Sequence, residues 1–78
     1  MIFEWLKQMI HDMGITEEMD LTTTFEELQM DSTELIDLST AISKEYRIFI
    51  PDKELTDFSI GQVIERIELN RSLEQKVQ

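Results

Sequence analysis

The sequence predicts an all-α domain, a small four-helix bundle of three main helices and one short one. Apolar residues recur at three- and four-residue steps in three separate stretches. Helix-start signals recur along the chain, and the one segment that could pass for a strand, Ile48 to Ile50, has no partner strand. With 78 residues there is room for one domain with a modest core, one that folds alone but with little stability to spare.

The elements follow in order. Ile2, Leu6, Met9, Ile10 and Met13 form the apolar stripe of a first helix, with Glu4, Lys7 and Asp12 between them and Gly14 as its stop. Phe3 and Trp5 flank that stripe at the core edge. Residues 15 to 30 make a long connection, and a structureless loop of that length is uncommon in a compact domain. Its apolar anchors Ile15, Met19, Leu21, Phe25 and Leu28 place it across the bundle, with one helical turn near Phe25 to Leu28 capped by Thr24 and Glu27.

The second helix is predicted from Ser32 to Tyr46. Leu35, Leu38, Ile42 and Tyr46 point inward with Ala41 alongside, and Thr33, Ile36, Asp37, Thr40, Ser43 and Lys44 face outward. Ile48 to Ile50 reads as an extended link, because a residue before proline avoids the helical region. Pro51 to Leu55 reads as a single helical turn, with proline where it costs no hydrogen bond. Ser59 and Gln62 form a capping box for the last helix, which turns Ile60, Val63, Ile64 and Ile67 inward. The ordered core is expected over about 2–69, with the polar end, 70–78, fraying.

Composition removes several function classes. There is no cysteine, hence no disulfide framework, no thiolate metal site and no thiol nucleophile of the chain's own. The single histidine, His11, lacks neighbours at ligand spacing and reads as a solvated helix residue. With no Gly-rich phosphate loop and no nucleophile–base pair, no catalytic residue is expected. No acid-x-acid-x-acid calcium loop and no metal site is expected either. The opening residues lack a signal peptide's basic start and apolar run, and no stretch has the length of a membrane span, so a cytoplasmic, monomeric protein is expected.

The formal net charge is −10, and no lysine or arginine lies between Lys7 and Lys44. Nine acids, Asp12, Glu17, Glu18, Asp20, Glu26, Glu27, Asp31, Glu34 and Asp37, occupy that gap. Such a field repels nucleic acid and anionic membranes and steers the domain towards basic surfaces on other proteins. A solubility coat would have the same sign, but these acids crowd around one serine.

That serine is Ser32, directly after Asp31 at the predicted first turn of the acidic helix. Asp31 with Glu34 is an ordinary capping box, and the Asp-Ser pair alone says no more than that. Its context says more: Asp31-Ser32, then Asp37-Leu38 within the helix, then Tyr46 to Asp52 ending in Ile50-Pro51-Asp52. In this order and spacing the chain resembles the acyl carrier proteins of the phosphopantetheine-binding family, from Phe3 to about Leu69.

The resemblance implies an acyl-carrier-protein-like fold and a covalent 4′-phosphopantetheine arm on Ser32, placed there by a phosphopantetheinyl transferase. It implies a non-catalytic carrier of acyl, aminoacyl or polyketide groups as thioesters, presented to acyl-loading and acyl-transferring enzymes with basic docking patches. The partner-binding surface it implies is Asp31, Thr33, Glu34, Ile36, Asp37, Thr40, Ser43 and Lys44.

The sequence departs from the common fatty-acid carriers at several places. Gln29 stands where glycine is usual, Thr33 where leucine is usual, Thr40 where methionine often sits, and Ser43-Lys44 where two glutamates are common. These changes point to a specialised carrier, for polyketide, nonribosomal-peptide or another dedicated biosynthesis. Leu35, Leu38, Ile50, Leu55, Ile60 and Ile64 are candidates to line a cargo cleft, although a bundle this small needs them all for its core. The alternative function is an acidic helical interaction domain without a prosthetic group.

Overall fold

A computed structural model describes residues 2–76, with side chains through Ser72. Four helices follow one another: α1 (Ile2–Asp12), α2 (Ser32–Tyr46), α3 (Asp52–Leu55) and α4 (Ile60–Lys76). α1 packs along α4, and α2 packs against the short α3. The predicted stripes face the core. Leu6, Ile10, Leu38, Ile42, Ile60, Val63 and Ile67 are fully buried, and Leu35 nearly so.

The long connection is tied down at both ends of its course. Gly14 ends α1 with φ at +93°, a left-handed conformation that favours glycine. Phe25 and Leu28 enter the core from the single turn that the sequence predicts. Thr24 and Glu27 cap that turn: the Glu27 N–H donates to Thr24 Oγ1 at 3.1 Å, and the Thr24 N–H donates to Glu27 Oε1 at 3.0 Å. The Ser59–Gln62 box closes in the same way at 2.8 and 3.2 Å.

Several expectations are corrected. Leu21 is no apolar anchor; its side chain is 53 % exposed. Its backbone is what docks, because Leu21 O accepts the Gly61 N–H at 2.8 Å and Thr23 O accepts the Ile60 N–H at 2.9 Å. These are free donors at the head of α4, which the loop satisfies. The approach is so close that a Cβ at Gly61 would lie 2.9 Å from Leu21 O. Ile64 is only half-buried, on the groove between α1 and α4. His11 is half-buried in the last turn of α1 and not fully solvated. Pro51 sits at the N-cap of α3, one position earlier than expected, where its missing N–H still costs nothing.

The final helix runs to Lys76 and so takes in residues 70–76 of the segment expected to fray, while 77 and 78 lie outside the described residues. Tertiary contact explains part of this extension. The Arg71 guanidinium lies 5.9 Å from the centre of the Tyr46 ring, and Trp5 meets that same ring edge-on at 5.1 Å.

One core contact had no sequence signal. Ser39, on the inner face of α2 and 3 % exposed, donates its hydroxyl to Ile50 O at 2.6 Å. The bond fixes the link that leads from α2 into α3.

Candidate functional site

The head of α2 is built from local hydrogen bonds. Asp31 is the N-cap, with extended backbone. The Glu34 N–H donates to Asp31 Oδ1 at 2.8 Å, and the Asp31 N–H donates to Glu34 Oε1 at 3.0 Å. This reciprocal box satisfies two of the orphan amides of the first turn. The amides of Ser32 and Thr33 make no hydrogen bond to another described residue.

Ser32 is the first residue of α2 and is exposed, and its own amide and that of Thr33 have no partner among the described residues. A helix start with free N–H groups attracts a phosphate by both hydrogen bonding and the helix dipole.

The remaining predicted surface residues share the outer face of α2. Thr33, Ile36, Asp37, Thr40 and Lys44 are exposed, and Ile36 is an apolar spot at 51 %. Ser43 is half-buried. Glu34 is also half-buried, and its carboxylate is engaged by the cap, so it serves the helix start more than a partner. The face is acidic near Ser32 and mixed at its far end, where Lys44, Glu45 and Arg47 are all exposed.

The six residues weighed as cargo-cleft lining serve mainly as the core that a bundle this small needs. Leu38, Ile50, Leu55 and Ile60 are fully buried core residues, and of the six candidates only Leu35 reaches a cleft beside α2. That cleft, about 500 Å³, is lined by Phe25, Glu26, Gln29, Met30, Leu35, Thr56 and Asp57. It opens between the turn that precedes Asp31 and the turn that joins α3 to α4. Thr56 and Asp57 are wall residues with no sequence signal, since only the docking of α3 brings them there. Gln29 did carry a signal, as the occupant of a position where glycine is usual; its φ is +57°, in the left-handed region.

Among the described residues there is no group of three metal-ligating side chains and no helix long and apolar enough to cross a membrane. No solved structure gives a significant match to the chain. The profile of one family, described as the phosphopantetheine attachment site, matches residues 4–67. That span takes in every helix but the first residues of α1 and the last turns of α4. With that match over most of its length, the chain belongs to the phosphopantetheine-attachment family of carrier domains, which bear 4′-phosphopantetheine covalently and are generally non-catalytic.

Proposed function

We propose that Ser32 bears the 4′-phosphopantetheine arm and that the chain carries acyl, aminoacyl or polyketide groups for a specialised biosynthetic pathway. The observation that carries this reading is the exposed Ser32 at the start of α2, where its own amide and that of Thr33 have no partner among the described residues. In the transferase reaction, Ser32 Oγ bonds to the coenzyme A phosphorus that bears pantetheine. The pyrophosphate P–O bond breaks, adenosine 3′,5′-bisphosphate leaves, and the hydroxyl proton passes to a base on the transferase. The arm supplies the thiol that this cysteine-free chain lacks.

The chain's own residues do the rest. Asp31 holds the first turn rigid, and the Ser32 and Thr33 amides donate towards the phosphodiester. The exposed acids Asp31 and Asp37 steer basic docking patches on transferase and partner enzymes towards Ser32. Thr33, Thr40 and Lys44, all exposed, replace residues usual in fatty-acid carriers, which supports a dedicated pathway.

The test is intact mass after incubation with coenzyme A, magnesium and a broad-specificity phosphopantetheinyl transferase, with Ser32→Ala in parallel. One phosphopantetheine on the parent and none on the variant is the expected result. No addition to a folded parent by several transferases would return the chain to an acidic interaction domain. Turnover of the loaded form by housekeeping fatty-acid elongation enzymes, at the rate of the cell's main carrier, would remove the specialised pathway.

A further inference from the structure

Among the described residues four large apolar side chains are more than half exposed: Leu21, Ile36, Phe49 and Leu69. Two of them, Ile36 and Phe49, stand on the flank of α2 that bears Ser32. Ser32, Ile36, Ser39 and Ser43 follow at steps of four, three and four residues and so share one stripe of the helix. The chain leaving α2 returns along that stripe, because Ser39 donates its hydroxyl to Ile50 O at 2.6 Å. Further on, Thr56 lines a cleft with Leu35, so the course runs towards the head of α2. Ser39 is two turns from Ser32, about 10 Å along the axis, and Phe49 immediately precedes its partner Ile50.

Phe49 is held outward by a backbone already fixed. Ile50 beside it is fully buried with its carbonyl bonded, and Pro51 follows with its φ set by the ring, yet Phe49 is 70 % exposed. An aromatic side chain presented in this way has little freedom left to lose when it is covered, which suits an interface anchor. The shared stripe carries no charge, whereas the crest of α2 next to it, Thr33, Asp37, Thr40 and Lys44, carries no apolar residue. Apolar contact along α2 near Ser32 therefore has to be made on the serine's own flank. Leu21 and Leu69 line other grooves, on α4.

The size of an interface says what covers Phe49. An enzyme served by the loaded arm can dock at a distance, but a phosphopantetheinyl transferase must bring its active site to Ser32 Oγ itself. A stable interface takes about 800 Å² from each partner, a round patch reaching about 16 Å from its centre. Centred on Ser32, such a patch takes in Ile36 and extends to Phe49.

We propose that Ile36 and Phe49 anchor the phosphopantetheinyl transferase, an inference that rests on Ser32 being the attachment site. The transferase presents an apolar pocket to Phe49, beside the basic side chains that meet Asp31 and Asp37. Phe49 contributes more than Ile36, having more surface to cover.

The experiment measures transfer of phosphopantetheine from coenzyme A to the full chain by the broad-specificity transferase, over a range of carrier concentrations. Phe49→Ser is expected to raise KM for the carrier about tenfold and Ile36→Ser about threefold. The kcat should stay within about twofold, since contacts away from the reacting atoms are lost from ground and transition states alike. Phe49→Leu should recover most of the affinity, and Leu69→Gln, also at an exposed leucine, should behave as the parent. Urea unfolding should give Phe49→Ser the parent's midpoint, as an exposed position predicts. In the Ser32→Ala chain, which cannot be modified at this site, added transferase should broaden the amide resonances of Ile36 and Phe49 and leave those of Leu21 and Leu69 sharp. A KM for Phe49→Ser within about twofold of the parent, an equal loss in Leu69→Gln, or a fall in kcat alone would overturn the anchor on a carrier that still gains mass. A parent that gains no mass, or a Ser32→Ala chain that does, would instead overturn the attachment at Ser32, and this inference with it.

Discussion

The chain entering α2 and the chain leaving it both bury apolar residues, Phe25 and Leu28 on one side and Ile50 on the other, but their side-chain hydrogen bonds differ in range. The entering segment, 15–31, is organised by short polar loops: Asp20 with Thr22 and Thr23, Thr24 with Glu27, and Asp31 with Glu34. Each joins residues two or three apart in sequence. The leaving segment, 47–51, has no such local device. It is fixed by distant partners, with Ile50 fully buried, its carbonyl held by Ser39, and Tyr46 just before it clasped by Trp5 and Arg71. At the head of α2, Asp31, Ser32 and Thr33 stay on the surface; beyond its other end Ile50 is fully buried and Phe49 is exposed.

The largest expected effect breaks the leaving side. Ser39→Ala removes the only donor shown for Ile50 O and leaves that carbonyl unsatisfied inside the core. A stranded buried acceptor costs about 1–3 kcal/mol, partly offset by alanine's better helix propensity. Thermal or urea unfolding should show a net loss of about 1–2 kcal/mol with the helical content kept. Phosphopantetheine loading at 20 °C should stay at the parent rate, because the head of α2 is untouched. A loss confined to loading would reverse this division of roles.

A smaller effect tests the entering side. Asp31→Ala removes the acceptor for the Glu34 N–H, and loss of such a cap costs about 1 kcal/mol. Here stability and loading should fall together, since the same carboxylate orders the turn that presents Ser32. Asp31→Asn keeps a capping oxygen and should recover the stability while leaving loading reduced by the lost charge. Equal loading by all three proteins would leave Asp31 a cap and nothing more.

The same division decides what the sequence could reveal. Three capping pairs, Thr24–Glu27, Asp31–Glu34 and Ser59–Gln62, were legible because each lies within one helical turn. The bounds of α2 followed from its cap and its stripe. The Ser39–Ile50 bond, eleven residues apart, was not legible, since a serine on a helix says nothing of what it meets after folding. Leu21 misled because hydrophobicity indicates burial, whereas its backbone carbonyl makes the contact. The tail was read as frayed from its polarity; α4 runs through it to Lys76, with Arg71 beside the Tyr46 ring. At the candidate site, the exposed Ser32 and the acids around it were visible. The cleft was not, because Thr56 and Asp57 arrive only when α3 docks.

The smallest effect separates the two sides by pH. Thr22, through its hydroxyl and its N–H, and then Thr23 donate to the Asp20 carboxylate and hold its pKa below the ordinary 3.8. A carboxyl lowered on folding contributes stability above its unfolded value, and that contribution is lost as pH falls through the lower folded value. Because Asp20 is fully exposed, the loss should be local: below about pH 3.8 the amides of Thr22 and Thr23 exchange faster while α2 stays intact. Tyr46 behaves oppositely. Burial, and then the nearby Glu45 carboxylate, raise its phenol above 10.0 against the smaller opposing pull of Arg71. A phenol raised on folding contributes stability that is fully present below pH 10 and is lost as pH climbs through the raised value. Trp5 fluorescence reports on that ring directly and should change only in this alkaline window. A change in Trp5 fluorescence at pH 3.5 that accompanies the loss of Thr22 amide protection would mean that the two segments unfold as one and that their separation is only geometric.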